Sequence, residues 1–171
     1  MGELDEWKHC PRCGSTELKR AKGKVECSDC DFAAYASSHP TASAVCVDDA
    51  GRVLLARRGV EPSKGKWDLP GGFLEEEEHP LDCVHRELRE EAGVEVEPIE
   101  FLGVWIDKYG DDGSAATTLN HYWTARIVEG TPEAADDVAE FRWFRPDEIS
   151  RDEIAFPHTL EVLSALRDEH A

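Results

Sequence analysis

Apolar positions along this chain change their period several times, and each change marks an element. Between residues 80 and 92, Leu81, Val84, Leu88 and Ala92 recur at steps of three and four, the period of one helix face. Pro80 suits the first helical turn and Gly93 the residue just past the end, so the spacing predicts a helix over 80–92. A closing helix is expected over 156–170, "FPHTLEVLSALRDEH", with Pro157 at its start, and a short helix over 146–149, "PDEI". The other apolar runs are short and strand-like. "ASAVCV" and "RVLLARR" flank an Asp-Ala-Gly turn and read as a hairpin within 41–59. "VEVEPIEFLGVWID" (94–107), "TLNHYWTARIV" (118–128) and "EFRWFRP" (140–146) read as further strands. "KGKWDLPGG" (64–72) reads as a loop entered by a short strand, and 110–113 as a Gly/Asp loop. Strands mostly in hairpins, with two or three helices, imply an α+β domain layered as an α/β/α sandwich.

The first 38 residues follow a different logic. They hold "CPRC" (Cys10, Cys13) and "CSDC" (Cys27, Cys30), the spacing of a four-thiolate zinc site. "LKRAKGKVEC" between the pairs reads as a short hairpin turning at Gly23. So small a segment cannot bury a sufficient core, and a tetrahedral Zn2+ would supply the missing stability. Two disulfides or free buried thiols are the competing readings. A closed four-Cys site has no open coordination position, so chemistry is not expected there. The domains expected are a zinc ribbon, 1–38, a linker at "SSHP" (37–40), and a larger domain, 39–171. Cys46 and Cys83 read as packing residues.

Charge narrows the choice of partners. The chain carries 37 Asp+Glu against 19 Lys+Arg, a formal net charge of −18. Such a surface repels nucleic acid and anionic membranes unless cations intervene. Only seven of the basic residues are Lys, and a foldable, lysine-poor, acidic chain fits a salt-rich, halophilic cytosol. At about 1 M salt the Debye length falls to about 3 Å and screens the self-repulsion. No long apolar run and no apolar leader are present, so a cytoplasmic location without membrane contact is expected. Residues 1–38, by contrast, hold seven acids and six bases. Lys19, Arg20, Lys22 and Lys24 cluster on the expected hairpin, either touching a phosphate or RNA or forming a solvated strand face.

"RELREEAGV" (86–94) raises the chemical question. On a helix Glu87, Glu90 and Glu91 share one side, where like charges repel. A solvated face with Arg86 and Arg89 as partners is one reading, and a helix-end salt-bridge network another. The third is a site for hard divalent cations, which prefer carboxylate oxygens and substrate phosphates. The surrounding spacing favours the third. Gly72 is followed by five residues and Glu78, then seven residues, Arg86-Glu87-Leu88, Arg89, Glu90-Glu91, Ala92 and Gly93-Val94. This 23-residue stretch resembles the box of the Nudix hydrolase family at every defined position. The order of elements over 39–171 is similar to that family's fold. The ribbon resembles that of NADH pyrophosphatases and of some ADP-ribose or flavin dinucleotide hydrolases in the family.

The resemblance implies metal-dependent hydrolysis of a pyrophosphate bond in a nucleoside diphosphate linked to another group. It implies Mg2+ or Mn2+ held by Glu87, Glu90 and Glu91, and a structural pair, Glu78 with Arg86, that braces the loop against the helix. Gly71 and Gly72 would let the backbone lie close to substrate phosphates. The family's general base is a box glutamate or an acid from a later loop. Here Glu133 and Glu140 are the later candidates, with Asp136 and Asp137 between them. Arg57 and Arg58 are candidate phosphate contacts, one of them expected to face solvent because strand neighbours alternate. Trp105, Tyr109, Tyr122 and Trp123 are candidate rings for stacking on adenine or flavin.

Ribbon-bearing members that cleave NADH carry Ser-Gln-Pro shortly after the box, and "FLGVWIDKYGDDG" lacks it. That sets NADH, and NAD caps on RNA, behind other substrates. Some ADP-ribose hydrolases carry a Pro beyond the box where Tyr109 stands here; a Tyr near that place resembles dinucleoside polyphosphate hydrolases. "IAFPHTLEVL" resembles the ribbon-bearing members and favours ADP-ribose or an FAD-like dinucleotide. A nucleotide- or RNA-binding sensor built on the same fold is the alternative of another class. A homodimer is compatible with the resemblance, and nothing in the sequence specifies it.

Overall fold

The computed structural model describes residues 3–110 and 116–168. After a 3-10 turn at Glu3–Glu6, three short strands form one small antiparallel sheet: β1 (Leu18–Ala21), β2 (Lys24–Cys27) and β3 (Ala33–Tyr35), in the order β1-β2-β3. The expected hairpin turns at Gly23, whose φ is 70°. The third strand was not legible, because "AAY" is too short to show a period.

Two further sheets build the larger part. One has the order β7-β4-β9-β8, with β4 (His39–Cys46), β7 (Gly71–Phe73), β8 (Glu95–Tyr109) and β9 (Ala116–Glu129). The other has the order β10-β5-β6, with β5 (Val53–Arg58), β6 (Trp67–Asp68) and β10 (Val138–Phe144). All pairings are antiparallel except β4 with β9. Helix α1 (Pro80–Ala92) packs on β4, β7 and β8, and helix α2 (Pro157–Asp168) packs on β8. The α+β fold with a small N-terminal sheet is thus as the sequence implied.

Strand alternation explains how β4 serves two layers. Ala42, Ala44 and Cys46 point towards α1 and pack with Cys83, Val84, Leu88 and Ala92. Val45 points the other way, into a second cluster with Leu55, Trp67, Tyr122, Val162 and Leu163. A strand buried on both faces reads as a continuous apolar run, as "ASAVCV" does. Cys46 and Cys83 are fully buried and serve as packing, as expected.

Three expectations are corrected. β4 and β5 share the turn at Asp48–Gly51, where Gly51 N–H donates to Asp48 O at 2.9 Å, but they do not form a hairpin ladder. They part into different sheets after one bridge, Val47–Val53, because each is claimed by partners distant in sequence. Residues 39 and 40 of the expected linker are strand, paired with Thr118 and Leu119. Residues 146–149 form a turn rather than a helix, and the 3-10 helix lies at Arg151–Glu153. The loop expected at 110–113 falls mostly outside the described residues.

α1 has the predicted bounds. His79 Nδ1 accepts from Leu81 N–H at 3.2 Å at the start, and Pro80 opens the first turn. Gly93 closes the helix at φ 65°, its N–H donating to Arg89 O at 3.0 Å. Leu81, expected on the apolar face, is only half-buried, and Cys83 takes its share of the core. A Cβ at Gly93 would meet nothing within 4 Å, so the glycine is required by backbone conformation and not by space. Gly93→Ala should therefore cost about 1–2 kcal/mol, the left-handed penalty for an L-residue. Urea unfolding should show a lowered midpoint at unchanged slope; an unmoved midpoint would show that the cap tolerates a side chain.

Candidate active site

The site begins with two glycines. Gly71 has φ 141°, and a Cβ there would lie 2.4 Å from Ala42 O. A Cβ on Gly72 would lie 2.3 Å from Glu87 Oε1. Only glycines let β7 lie this close both to β4 and to α1. The Gly71 N–H then donates to Glu91 Oε2 at 3.1 Å. Glu87 and Glu91, one helical turn apart, are thus brought against the loop.

Arg86 organises the rest of the helix. Its Nε and Nη2 grip both oxygens of Glu78, at 2.8 and 2.9 Å, and Nη2 also donates to Phe73 O at 3.0 Å. Its Nη1 reaches Glu87 Oε1 at 2.7 Å and Glu90 Oε2 at 3.1 Å. Hydrogen bonds from Arg86 hold the Glu78 carboxyl down at about 2. The guanidinium ties the residue 73–78 loop to the helix through a bidentate, charge-assisted contact.

Glu87 and Glu91 are shifted the other way. Burial pushes Glu91 up to about 8, helped by the neighbouring Glu87 charge and opposed by the Gly71 N–H. Burial also raises Glu87, opposed by Arg86. Two desolvated carboxylates beside each other disfavour ionisation in the absence of a cation. Hard oxygen donors held under that tension fit a divalent cation of the Mg2+ class. Glu87, Glu90 and Glu91 do not converge within the span of one ion; among the described residues only the four cysteines do that.

These groups line a cavity of about 360 Å3 between the two larger sheets. Of the sequence candidates, Glu87, Glu90, Glu91, Arg86, Gly71, Gly72, Arg58, Tyr109 and Tyr122 line it. Arg57, its neighbour Arg58's opposite on the strand, does not: its Nε donates to Gly65 O at 3.0 Å and its Nη1 lies 3.5 Å from Glu140. Glu140 is likewise turned away, facing Arg57 in register and held ionised chiefly by Arg142 at 2.6 Å. Glu133 is exposed and off the cavity, its backbone N–H bound to Ala92 O. Asp136 and Asp137 are the later acids that reach the lining.

The sequence missed the cavity's inner wall. Asp68 is half-buried beside Arg58, with Nη1 to Oδ2 at 3.5 Å, and desolvation raises its carboxyl despite that cation. Arg58 Nη2 donates to Tyr109 OH at 3.0 Å. His158 lies between Asp107 Oδ2, 2.6 Å from Nδ1, and Tyr122 OH, 2.7 Å from Nε2. Asp107 and His158, from β8 and the first turn of α2, meet here with Tyr122 of β9, a ring the sequence did offer, so no spacing along the chain announces the set.

In the small sheet, Cys10 and Cys30 Sγ are 3.6 Å apart, and Cys13 and Cys27 Sγ 3.7 Å. All four sulfurs lie within 4.8 Å of one another. Zn–S bonds of about 2.3 Å in a tetrahedron give edges of about 3.7–3.8 Å, so the set fits zinc, and no disulfide joins any pair. Backbone turns aim the pairs: Gly14 N–H donates to Cys10 O at 2.9 Å and Cys27 N–H to Phe32 O at 2.8 Å.

Comparison with known proteins agrees with this geometry. The NUDIX domain family matches residues 37–165. The chain is 34% identical over 122 residues to a MutT-like protein of Streptomyces ambofaciens, covering 71% of this chain and 73% of that one. It is 31% identical over 121 residues to an ADP-ribose pyrophosphatase of Methanocaldococcus jannaschii, covering 71% and 69%. A crystal structure of a NUDIX hydrolase from Nitrosomonas europaea superposes with a TM-score of 0.78 at 25% identity, covering 96% of this chain and 94% of that one. A layered fold with a glycine loop and a glutamate-bearing helix on one cavity defines a hydrolase of phosphoric anhydrides. The chain belongs to the Nudix hydrolase family and acts on pyrophosphate bonds.

The Glu91 shift has a measurable sign. Its folded pKa lies above the ordinary value of 4.5, so between 4.5 and about 8 the folded state holds a proton that the unfolded chain has released. This contribution is present below about pH 4.5 and is lost as pH rises through about 8. In Mg2+-free buffer Tm should fall across that window, less steeply in Glu91→Gln, and added Mg2+ should flatten the fall by binding the ionised form. An identical slope in wild type and variant would remove Glu91 as the titrating group. For the cysteines, a strong chelator should release one zinc per chain and expose four thiols to a thiol reagent, while Cys46 and Cys83 stay protected in the core. Protein purified without chelators and carrying no zinc would overturn the assignment.

Proposed function

We propose that this protein hydrolyses the pyrophosphate bond of a nucleoside diphosphate joined to a second group, with ADP-ribose or an FAD-like dinucleotide as substrate. One observation carries the reading. The desolvated Glu87–Glu91 pair, the Gly71–Gly72 backbone and the rings of Tyr109 and Phe156 line one cavity. Carboxylates and a glycine backbone suited to phosphate, together with aromatic rings, match a nucleotide diphosphate. The similarity to an archaeal ADP-ribose pyrophosphatase supports the same substrate class.

Glu87, Glu90 and Glu91 would hold Mg2+ or Mn2+, which when bound neutralises pyrophosphate charge and lowers the pKa of a bound water. The protein's own groups do the rest. Arg86 and Glu78 fix the loop, so that Glu87 and Glu91 keep their position against the glycines. Arg58 supplies positive charge within the cavity, balanced by Asp68. Asp136 and Asp137 take the role first considered for Glu133 and Glu140, as later acids within reach of substrate. The cysteine cluster takes a structural Zn2+ and no part in the chemistry. With a net charge of −18, a salt-rich cytoplasm is the setting we assign to it.

The test is a hydrolysis panel of ADP-ribose, FAD, NADH, diadenosine tetraphosphate and nucleoside triphosphates, with Mg2+ and then Mn2+, in about 1 M KCl to screen the charge. ADP-ribose or FAD should be cleaved fastest, yielding a nucleoside monophosphate. Glu91→Gln should lower kcat by at least about a hundredfold, an effect of a few kcal/mol on the barrier, with the fold intact by circular dichroism. Tight metal-dependent binding of one ligand with no cleavage of any would convert the reading to that of a sensor.

A further inference from the structure

The four aromatic candidates do not share one environment. Trp123 packs against Phe101, ring centroids 5.0 Å apart, at the edge of the α1-side core. Trp105 meets Tyr122 edge-on at 5.6 Å, within the core beneath α2. Tyr122 is buried, its hydroxyl taken by His158. Of the four, Tyr109 and Tyr122 line the cavity, and Tyr109 is the one grouped there with phenylalanine rings that also line it. Phe156 stacks on it at 5.6 Å and 28°, and Phe73 meets it edge-on at 5.2 Å and 88°. The Arg58 guanidinium lies over Tyr109 at 5.6 Å and over Phe156 at 5.3 Å. Phe73 is 40% exposed, a large ring left open beside a polar cavity.

The buried polar side chains of the cavity are largely paired with one another. Thr41 Oγ1 donates to Asn120 Oδ1 at 2.8 Å, and Asn120 Nδ2 donates to Trp105 O at 3.1 Å and Thr118 Oγ1 at 3.0 Å. Lys108 Nζ donates to Thr117 Oγ1 at 2.7 Å. Reading one base against another needs hydrogen-bond groups that pair with its edge and are left unpaired by the wrong one. Stacking needs only a flat ring, because every base has a π-face.

We propose that Phe73, with Tyr109 and Phe156 behind it, seats the planar ring of the substrate by stacking, and that this seat selects for a flat ring rather than for one particular base. Asp107 and His158 are positioning residues for it. Their 2.6 Å contact joins β8, two residues before Tyr109, to the first turn of α2, two residues after Phe156. Tyr122 holds the far side of the same imidazole. Breaking the contact frees Tyr109 and Phe156 to move apart. The inference rests on the nucleotide reading above for the identity of the ligand, but not on turnover.

Binding of non-hydrolysable probes separates the two. Calorimetry on the full, zinc-loaded chain with Mg2+ would compare AMP, GMP and ribose 5-phosphate. AMP and GMP should bind within about threefold of each other, and ribose 5-phosphate at least about tenfold more weakly, since stacking is the difference. Phe73→Ala should bring AMP and GMP down to the ribose 5-phosphate level and leave ribose 5-phosphate unchanged. Asp107→Asn should weaken AMP and GMP selectively, and in the turnover assay raise KM with kcat little changed. AMP binding unaltered in Phe73→Ala, or AMP no tighter than ribose 5-phosphate, would overturn the seat. AMP preferred over GMP by more than about thirtyfold would overturn its tolerance. Phe73-dependent AMP binding in a protein that cleaves nothing on the panel would sink the hydrolase reading and leave the seat standing.

Discussion

The approach of β7 to α1 is the constraint on which the site depends. The backbone at Gly71 and Gly72 leaves no room for a Cβ, between Ala42 on one side and the Glu87 carboxylate on the other. That contact places two acidic side chains where water cannot fully solvate them. The helix must then be held against its own repulsion. Arg86 does this by binding Glu78, Glu87, Glu90 and the Phe73 carbonyl at once. A guanidinium can serve so many oxygens because its five donors are fixed in a fork, which a lysine could not match. The position of Glu91, further along the helix, leaves it with one backbone donor and a carboxyl that burial pushes up to about 8.

The parts of the fold that the sequence disclosed are those governed by local rules. α1 ran from Pro80 to Ala92 as its apolar period and its Pro and Gly ends required. The hairpin at Gly23 and the cysteine pairs were equally local. Pairing between strands was less legible. The "ASAVCV" and "RVLLARR" runs share a turn, yet β4 pairs with β9, some eighty residues on, and β5 with β10. Both runs are buried on two faces, and a two-sided apolar run carries no information about which neighbour it will take. The "PDEI" segment had a helix's opening residues but only a turn's worth of chain before Ser150 begins its own cap.

The same division holds at the site. Glu78, Arg86 and the three helix glutamates were readable because they sit at fixed offsets along one short stretch of chain, the loop and the helix it enters. Asp68, Asp107, Tyr122 and His158 come from four elements and meet only in three dimensions. Glu140 illustrates the converse error. An acid in the expected stretch was a reasonable candidate, but its strand register places it opposite Arg57, and the two neutralise each other away from the cavity. Period-two alternation thus sorted Arg57 from Arg58, while a register shift between Val138, which lines the cavity, and Glu140 turned Glu140 away from it.

An acidic chain that handles polyanionic substrates faces an evident conflict of charge. Long-range attraction cannot bring the substrate in, because the protein as a whole is at −18. Recognition must come from forces that act only at contact. Arg58 is mostly compensated by Asp68, so the cationic charge it offers is local. Hard cations between the helix carboxylates and the substrate phosphates would be attracted by both and would turn their repulsion into cohesion. Stacking on the cavity's aromatic rings does not depend on the protein's net charge. In a medium where ions screen Coulomb forces beyond a few ångströms, a site built from bound cations and aromatic faces keeps its affinity where an arginine-rich site would lose it.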